Sequence, residues 1–299
     1  MQAKRKYQQL PLHFMLLPGL VLILIYSYVP FFGLSLAFVK FLPGRPFWDN
    51  PWVGLAHFEN VWKMPNFIRA LGNTFYIAFA KIVIGQIVPI VVALLLNELR
   101  KNWLKRGVQT LIYLPHFLSW IILSGILIDI LSPSHGIVNQ VLGWLGINPI
   151  YFLGDNRWFP FTIVISDVWK EFGFSTIVYL AALTSINPAL YEAALIDGAN
   201  RWKQTIYVTL PGMLPIIVLL ATLSLGNILN AGFDQIYNLY SPSVYETGDI
   251  IDTLVYRTGL EQAQYSLATA IGLFKSVVSL VMISLSYLLA YRFANYRIF

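Results

Sequence analysis

Three charged residues lie close together within the apolar segment 161–186. Asp167 and Lys170 are spaced i,i+3 and can pair, while Asp167 and Glu171 are spaced i,i+4 and would share one helix face. A charge inside a membrane-spanning helix costs about 2.5–3.5 kcal/mol, so such residues usually face protein or water. The group therefore predicts either an ion pair between packed helices or direct hydrogen bonding to the hydroxyl groups of a solute.

A second polar group lies around residue 230. Amides and carboxylates offer paired donors and acceptors to adjacent hydroxyl groups of a solute, and aromatic side chains can stack on the apolar face of a ring. The spacing of these residues is roughly helical, which predicts one shared face. Hydrogen bonds that only hold helices together are the alternative. The group consists of Asn227, Asn230, Asp234 and Asn238.

Three isolated charges also lie within apolar segments. Lys81 and Asp129 are weak signals, because each can reach the membrane interface or pair with another helix. Lys275 lies deeper in its segment and is the better candidate of the three for a polar path.

The sequence lacks the residue groups that common enzyme classes need. It has no Cys, and its four His are far apart, so no metal site is indicated. The motifs G-x-S-x-G and H-E-x-x-H are absent, as is the phosphate loop G-x-x-x-x-G-K-[ST]. We therefore expect no catalysis by this chain, although activity on a panel of substrates would revive that possibility.

The composition is that of a membrane protein. Of 299 residues, 57% are hydrophobic and 11% are charged. Apolar runs of roughly twenty residues match the thickness that a helix must cross. They predict an all-α, polytopic membrane protein with about six transmembrane helices. The six segments are Phe14–Val39, Ala70–Leu96, Val108–Leu131, Phe161–Ile186, Leu214–Ala231 and Ser266–Tyr291.

The basic residues predict the orientation of these helices. With the N-terminus inside, eleven Lys and Arg lie on the inner side and six on the outer side. This asymmetry places both termini and the loop of residues 187–211 in the cytoplasm. It also explains the net charge of +6 without a nucleic-acid partner. The inner residues are Lys4, Arg5, Lys6, Arg100, Lys101, Lys105, Arg106, Arg201, Lys203, Arg292 and Arg297.

The 187–211 loop carries the signals of two short helices. Asn187 can cap a helix over residues 188–197 that has Pro at its first position. Gly198 suits a left-handed C-terminal cap, and Asn200 can cap a second helix over 201–208. A plain cytoplasmic loop that folds into two small helices is one interpretation. The small side chains of two consecutive Ala residues in the first helix would also let another surface approach closely.

The loop sequence EAALIDGANRWKQTIYVTLP, from Glu192, closely resembles the EAA loop of ATP-binding-cassette (ABC) importer permeases. The spacing of EAA, Gly and Leu-Pro matches throughout, although Val208 stands where Ile is usual. The resemblance implies a coupling helix that sits in a cleft of an ATPase subunit. Thr205-Ile206 replaces a frequent aromatic pair, which leaves open whether Ile206 or Trp202 fills that cleft. The implied coupling residues are Glu192, Ala193, Ala194, Asp197, Gly198, Trp202 and Ile206.

The resemblance extends over roughly residues 14–295. QTLIYLPHFLSW, from Gln109, and NAGFDQIYNLYSPSVYETGDIIDTLVYRTGL, from Asn230, are similar to permeases for complex oligosaccharides of the polygalacturonan and rhamnogalacturonan type. This implies a type I importer transmembrane domain. Residues 1–69 would hold the cytoplasmic N-terminus, the first transmembrane helix and an external loop. Residues 70–299 would form the core permease domain with the coupling loop.

The resemblance also implies partners. These are a second homologous permease, two ATPase subunits that bind ATP and Mg, and an extracellular solute-binding lipoprotein. The chain itself would bind no cofactor. It would form half of an oligosaccharide import path in a bacterial cytoplasmic membrane. The residues alone leave a second possibility, an ion-coupled secondary transporter or channel with its ion site at the charged face of 161–186.

Overall fold

A computed structural model describes residues 2–294 of the chain, and describes side chains for residues 13–288. Within that part the backbone is helical, and one isolated β-bridge joins Val39 to Trp52. Five basic residues that entered the orientation prediction lie outside the described side chains. They are Lys4, Arg5, Lys6, Arg292 and Arg297.

The α-helices of the described chain are joined by turns, several of them 3₁₀ or π turns, and by a longer segment, residues 24–55, between the first two helices. In chain order they are α1 (Gln2–Ile23), α2 (Ala56–Lys63), α3 (Pro65–Glu98), α4 (Asn102–Tyr113), α5 (Trp120–Ile130), α6 (Ile137–Trp144), α7 (Phe159–Thr184), α8 (Pro188–Ile196), α9 (Arg201–Gln204), α10 (Leu210–Gly226), α11 (Phe233–Leu239), α12 (Tyr245–Gly248), α13 (Ile251–Tyr256) and α14 (Tyr265–Ala294).

Four helical stretches are long and apolar enough to cross a membrane, and two bent helix pairs raise the number to as many as six. The prediction of an all-α, polytopic membrane protein is therefore confirmed. The four stretches are His13–Phe38, Pro65–Glu98, Arg201–Gly226 and Tyr265–Leu288, and the bent pairs are Asn102–Phe117 with Trp120–Ile130 and Phe159–Thr184 with Pro188–Ile196.

The third predicted span is bent rather than straight. Its first half, Asn102–Phe117, contains α4, and its second half, Trp120–Ile130, is α5. The two halves meet at 103°. The 3₁₀ turn Leu114–Phe117 ends the first half, and Pro115 within it has no backbone N–H to donate. Ser119 then accepts a hydrogen bond from the Ile122 amide and starts α5. Hydropathy alone did not reveal this break, because both halves are apolar.

The fifth predicted span begins and ends earlier than expected. A π turn, Thr205–Thr209, joins α9 to α10, so one helical stretch runs from Arg201 to Gly226. The predicted continuation to Ala231 is wrong. Residues 227–232 form a turn, and Gly232 adopts a left-handed conformation with φ of +97° just before α11.

The chain divides into two compact units. One contains the residues up to Met64 together with Val255–Phe274, and the other contains Pro65–Leu254 together with the chain from Lys275 onward. Residues 255–274 thus pack with the N-terminal part, a relation that the expected division at residue 69 did not include.

The core of the second unit holds α3, α7 and α10 together. Its buried residues include Ala93 from α3, Tyr179 and Leu183 from α7, and Met213 from α10. On another side, α7 approaches α4 so closely that a Cβ on Gly173 would lie 1.9 Å from the carbonyl oxygen of Ile112. Any larger residue at this position would force the two helices apart.

Candidate functional site

The 187–211 loop folds as its capping signals predicted. The Asn187 side chain accepts a hydrogen bond from the Ala189 amide at 3.0 Å, and α8 follows. Gly198 ends the turn after α8 with φ of +73°, a conformation that costs little without a Cβ. The Asn200 side chain then accepts from the Lys203 amide at 2.9 Å and starts α9. The predicted helix, turn and start of a second helix are confirmed, but the second helix is not a separate short one, because α9 covers Arg201–Gln204 and continues through a π turn into α10.

The loop exposes large apolar side chains. Ile196 is 88% exposed and Trp202 is 72% exposed, whereas Ile206 is 37% exposed. Glu192 and Ala193 are also exposed on α8. Large exposed apolar side chains that are close together in the sequence are candidates for a protein-binding site. Of the two side chains predicted to fill a partner's cleft, Trp202 therefore offers the larger accessible surface.

Several contacts attach the loop to the helices of its own unit. Arg201 pairs with Glu98 at the end of α3. The hydroxyls of Tyr191 and Thr209 share a hydrogen bond of 3.1 Å, which joins α8 to the turn before α10. Because α9 continues into α10, the loop is joined to a spanning helix without a break.

A cavity of about 360 Å³ lies in the same unit, where α3, α7 and α10 face one another. Four of the predicted solute-path residues line it, namely Asp167, Glu171, Asn227 and Asn230. The sequence analysis did not select the other polar lining residues for this role. They are Lys81, Gln86, Ser175, Tyr179 and Ser224.

Lys81 lies at the centre of the hydrogen-bond network beside this cavity. Its ammonium group donates to Asp167 Oδ1 at 3.0 Å, to the Ala231 carbonyl at 2.8 Å and to Gln235 Oε1. The Gln235 amide group is oriented by donating to the Ile163 carbonyl and to the Ser166 hydroxyl, each at 2.8 Å. All three donors of Lys81 are therefore used, and its charge is compensated within the chain.

The predicted pair between Asp167 and Lys170 is wrong. Lys170 instead donates to Glu171 at 2.7 Å and to the carbonyl oxygen of His116 at 3.0 Å. The His116 ring also contacts Glu171, with 2.7 Å between Nδ1 and Oε2. Helical spacing alone allowed Lys170 to pair with Asp167 or with Glu171. In the structure Lys81 from α3 pairs with Asp167, and Lys170 instead contacts Glu171 and the turn before α5.

The predicted common face of the amide group is also wrong. Because α10 ends at Gly226, Asn227 and Asn230 lie in the following turn, while Asp234 and Asn238 lie on α11 and do not line the cavity. Lys275 does not line the cavity either. It donates to Asn230 Oδ1 at 3.0 Å and pairs with Asp252 at 2.5 Å, so it positions one lining side chain.

Tyr179 and Gln86 extend the polar lining away from Lys81. The Tyr179 hydroxyl donates to Gln86 Oε1 across α7 and α3. Gln86 lies five positions after Lys81 on α3, and both line the same cavity. Two polar residues close together within an apolar run were a usable sequence signal, but the interpretation treated Lys81 as an isolated charge.

Comparisons with known proteins agree on one family. The family described as binding-protein-dependent transport system inner membrane components matches residues 85–295. The polygalacturonan/rhamnogalacturonan transport system permease protein YteP of Bacillus subtilis (strain 168) is 40% identical, and the match covers 98% of this chain and 91% of that protein. Protein LplB of the same organism is 40% identical, with 91% of this chain and 86% of that protein covered.

A solved structure extends the likeness to the fold. A chain of a bacterial ABC transporter involved in the import of the acidic polysaccharide alginate has a TM-score of 0.90 and 42% sequence identity to this protein. The match covers 98% of this chain and 99% of that one. With the exposed 187–211 loop and the polar cavity, these findings assign the protein: it belongs to the binding-protein-dependent transport system inner membrane components and is a permease subunit of an ABC importer.

Proposed function

We propose that this permease imports oligosaccharides that carry acidic sugar units, and that its 187–211 loop couples import to ATP hydrolysis. The observation that carries the coupling assignment is the exposed apolar surface of Ile196 and Trp202 on a firmly capped loop. The substrate class is supported by the two relatives whose names specify polygalacturonan or alginate. Both are polymers of acidic sugars.

The proposed assembly contains two permeases, two ATPase subunits and an extracellular solute-binding protein. The ATPases would bind ATP and Mg, and this chain would bind neither. This chain has one loop of this kind and one set of polar residues that line the cavity, which supports a pair of permeases that share the path. The distribution of basic residues supports an inner location for both termini and for the loop.

The coupling route follows from the connection between the loop and α10. When the ATPases close, the loop is displaced, and the continuous helical stretch Arg201–Gly226 carries that displacement to Leu220 and Ser224 at the cavity. The pair between Arg201 and Glu98 carries part of it to α3, which holds Lys81 and Gln86. Because α7 ends at Thr184, directly before the loop, all three helices that form the cavity connect to the loop.

The cavity suits hydroxyl-rich solutes better than free ions. Asn227 and Asn230 are exposed there, and amides bind adjacent hydroxyls through paired donors and acceptors. Asp167 is bonded to Lys81, and Glu171 is bonded to Lys170. This compensation argues against the ion-coupled alternative, because an ion site at Asp167 would have to displace an ammonium group.

Co-purification tests the assignment. A C-terminal tag, a mild detergent and mass spectrometry of the captured chains would identify the partners. We expect an ATPase with a phosphate loop and a second permease. Trp202→Ala should reduce the captured ATPase about tenfold, as expected for a central interface aromatic. Trp103→Ala is the matched control, because Trp103 is equally exposed at 72% but lies on α4.

Two results would contradict the proposal. The first is a chain that is captured alone, or only with copies of itself, in a detergent that preserves such complexes. The second is equal loss of the ATPase in Trp202→Ala and Trp103→Ala, because the loop would then have no special part in assembly. Uptake that needs an ion gradient and no ATP would favour a secondary transporter instead.

A further inference from the structure

The first unit contains a second cavity, of about 330 Å³, formed by the segment after the first span and by the residues at the start of α14. We propose that this cavity binds an acidic sugar unit of the transported chain, and that Lys40 pairs with its carboxylate. The inference rests on the proposed function for the substrate class and for the outer location of these residues. It adds a binding site that is separate from the cavity beside Lys81.

The backbone on both sides of Lys40 is fixed by hydrogen bonds. The Ser266 hydroxyl donates to the Val39 carbonyl at 2.7 Å and accepts from the Phe41 amide at 3.1 Å. The Lys40 amide itself donates to the Pro51 carbonyl at 2.9 Å. The position from which the lysine side chain extends is therefore set in advance, which reduces the conformational entropy lost on binding.

Lys40 differs from the lysines of the membrane-spanning helices in having no acidic partner. Lys81, Lys170 and Lys275 each pair with a carboxylate. Lys40 is exposed, makes no ion pair within the described chain, and none of the nine residues that line the cavity is acidic. A carboxylate that enters the cavity therefore meets an uncompensated ammonium group, with which it can form a charge-assisted hydrogen bond.

Two further side chains provide hydrogen bonds for sugar hydroxyls. His57 Nε2 lies 3.1 Å from the Val39 carbonyl oxygen. A carbonyl can only accept, so Nε2 carries the proton and Nδ1 of the neutral ring is left as an acceptor. Asn60 is exposed at the cavity and offers both amide donors and a carbonyl acceptor. The set of one cation, one acceptor and one amide matches a sugar acid that has a carboxylate and several hydroxyls.

An aromatic wall completes the cavity. Phe41 and Tyr265 both line it, with their ring centroids 5.7 Å apart at 86°. The C–H face of a pyranose ring packs well against such side chains, as in other pockets that combine apolar walls with a few polar groups. This feature favours a sugar over a small inorganic anion, which would use only the charge of Lys40.

The backbone at the cavity edge is strained. Ala263 lines the cavity and has φ of +55°, a conformation that is uncommon for a residue with a Cβ. The Gln262 amide donates to the Arg257 carbonyl and the Gln264 amide donates to the Thr258 carbonyl, each at 2.9 Å, and these bonds hold the turn. Strain of this kind clusters at ligand sites, where surrounding contacts maintain it.

Calorimetric titration of the purified full chain in nanodiscs tests the inference. The probes are trigalacturonate, which is acidic, and maltotriose, a neutral trisaccharide of equal length. Lys40→Gln should weaken trigalacturonate binding about tenfold, the loss expected for one charge-assisted contact. It should leave maltotriose binding unchanged. Lys40→Arg should retain most of the affinity, and Lys63→Gln is the matched control, because Lys63 is exposed at the end of α2 and does not line the cavity.

Three outcomes would overturn the inference. These are no binding of trigalacturonate to the unaltered chain at millimolar concentration, equal weakening of both sugars by Lys40→Gln, and equal weakening of trigalacturonate by Lys40→Gln and Lys63→Gln. The titration needs neither ATP nor partner chains. Its failure can therefore be distinguished from failure of the proposed importer function, which is judged by co-purification and ATP-driven uptake.

Discussion

The 187–211 loop and the cavity beside Lys81 belong to one structural unit, yet they differ in how far their side chains are satisfied by contacts within the chain. The loop leaves Ile196 and Trp202 exposed, and exposed apolar surface is unfavourable in water. The cavity instead gives Lys81 three acceptors from its own chain, among them Asp167. The difference fits the proposal that another protein covers the loop, whereas the charges at the cavity are compensated within the chain.

The largest expected effect is on the cavity network. Lys81→Ala removes the ammonium donor from the Asp167 carboxylate and from the Gln235 side-chain carbonyl, and breaking one side of a fully buried pair costs about 3–5 kcal/mol, which is an upper limit for this partly buried one. We expect a clear fall in the thermal unfolding midpoint of the detergent-solubilised chain. Lys81→Ala combined with Asp167→Ala should recover part of that loss, because no charge is then left unpaired. A double variant as unstable as Lys81→Ala would show that the two side chains do not act as a pair.

A smaller effect is expected at the loop. Gly198→Ala places a Cβ on a residue with φ of +73°, which costs about 1–2 kcal/mol. Nothing lies within 4 Å of that Cβ, so the cost is conformational and not steric contact with neighbours. Gly107→Ala is the matched control, because Gly107 is exposed within α4 and Ala there should be neutral or stabilising. The assigned left-handed cap would be wrong if the two variants had the same unfolding midpoint.

The same contrast explains what could be read from the sequence. The loop depends on signals a few residues apart, such as the Asn187 cap, the Gly198 turn and the Asn200 cap. Local hydrogen bonds and backbone preferences determine that geometry, so the sequence predicted it closely. The coupling role that we propose for it came from the family resemblance, because no periodicity could provide it.

The cavity depends on contacts between distant parts of the chain. Lys81 and Asp167 are 86 residues apart, and Lys81 and Gln235 are 154 apart. Spacing along one helix suggested Lys170 as the partner of Asp167. Such spacing cannot show which other helix packs against Asp167, so it did not identify Lys81. Helical spacing also suggested one shared face for the residues from Asn227 to Asn238. It did so because neither a change in hydropathy nor a proline marks the end of α10 at Gly226.

Hydropathy predicted the positions of the membrane-spanning segments well, but it did not predict where they bend. All six apolar segments correspond to helical stretches or bent pairs, since length and composition alone satisfy a bilayer. The bend of 103° near Pro115 could not be distinguished from a straight span, because proline occurs within membrane helices as well as at their ends. Pro89, for example, lies inside the uninterrupted α3.

The most direct test of coupling by the loop and conduction by the cavity measures two quantities in one reconstituted complex. These are ATPase capture and ATP-driven oligosaccharide uptake, for Glu192→Lys in the loop, Asn227→Ala in the cavity and Asn238→Ala outside it. We predict that Glu192→Lys loses capture and uptake together, that Asn227→Ala loses uptake and keeps the ATPase, and that Asn238→Ala keeps both. Intact uptake in Glu192→Lys, or loss of the ATPase in Asn227→Ala, would contradict this division of roles.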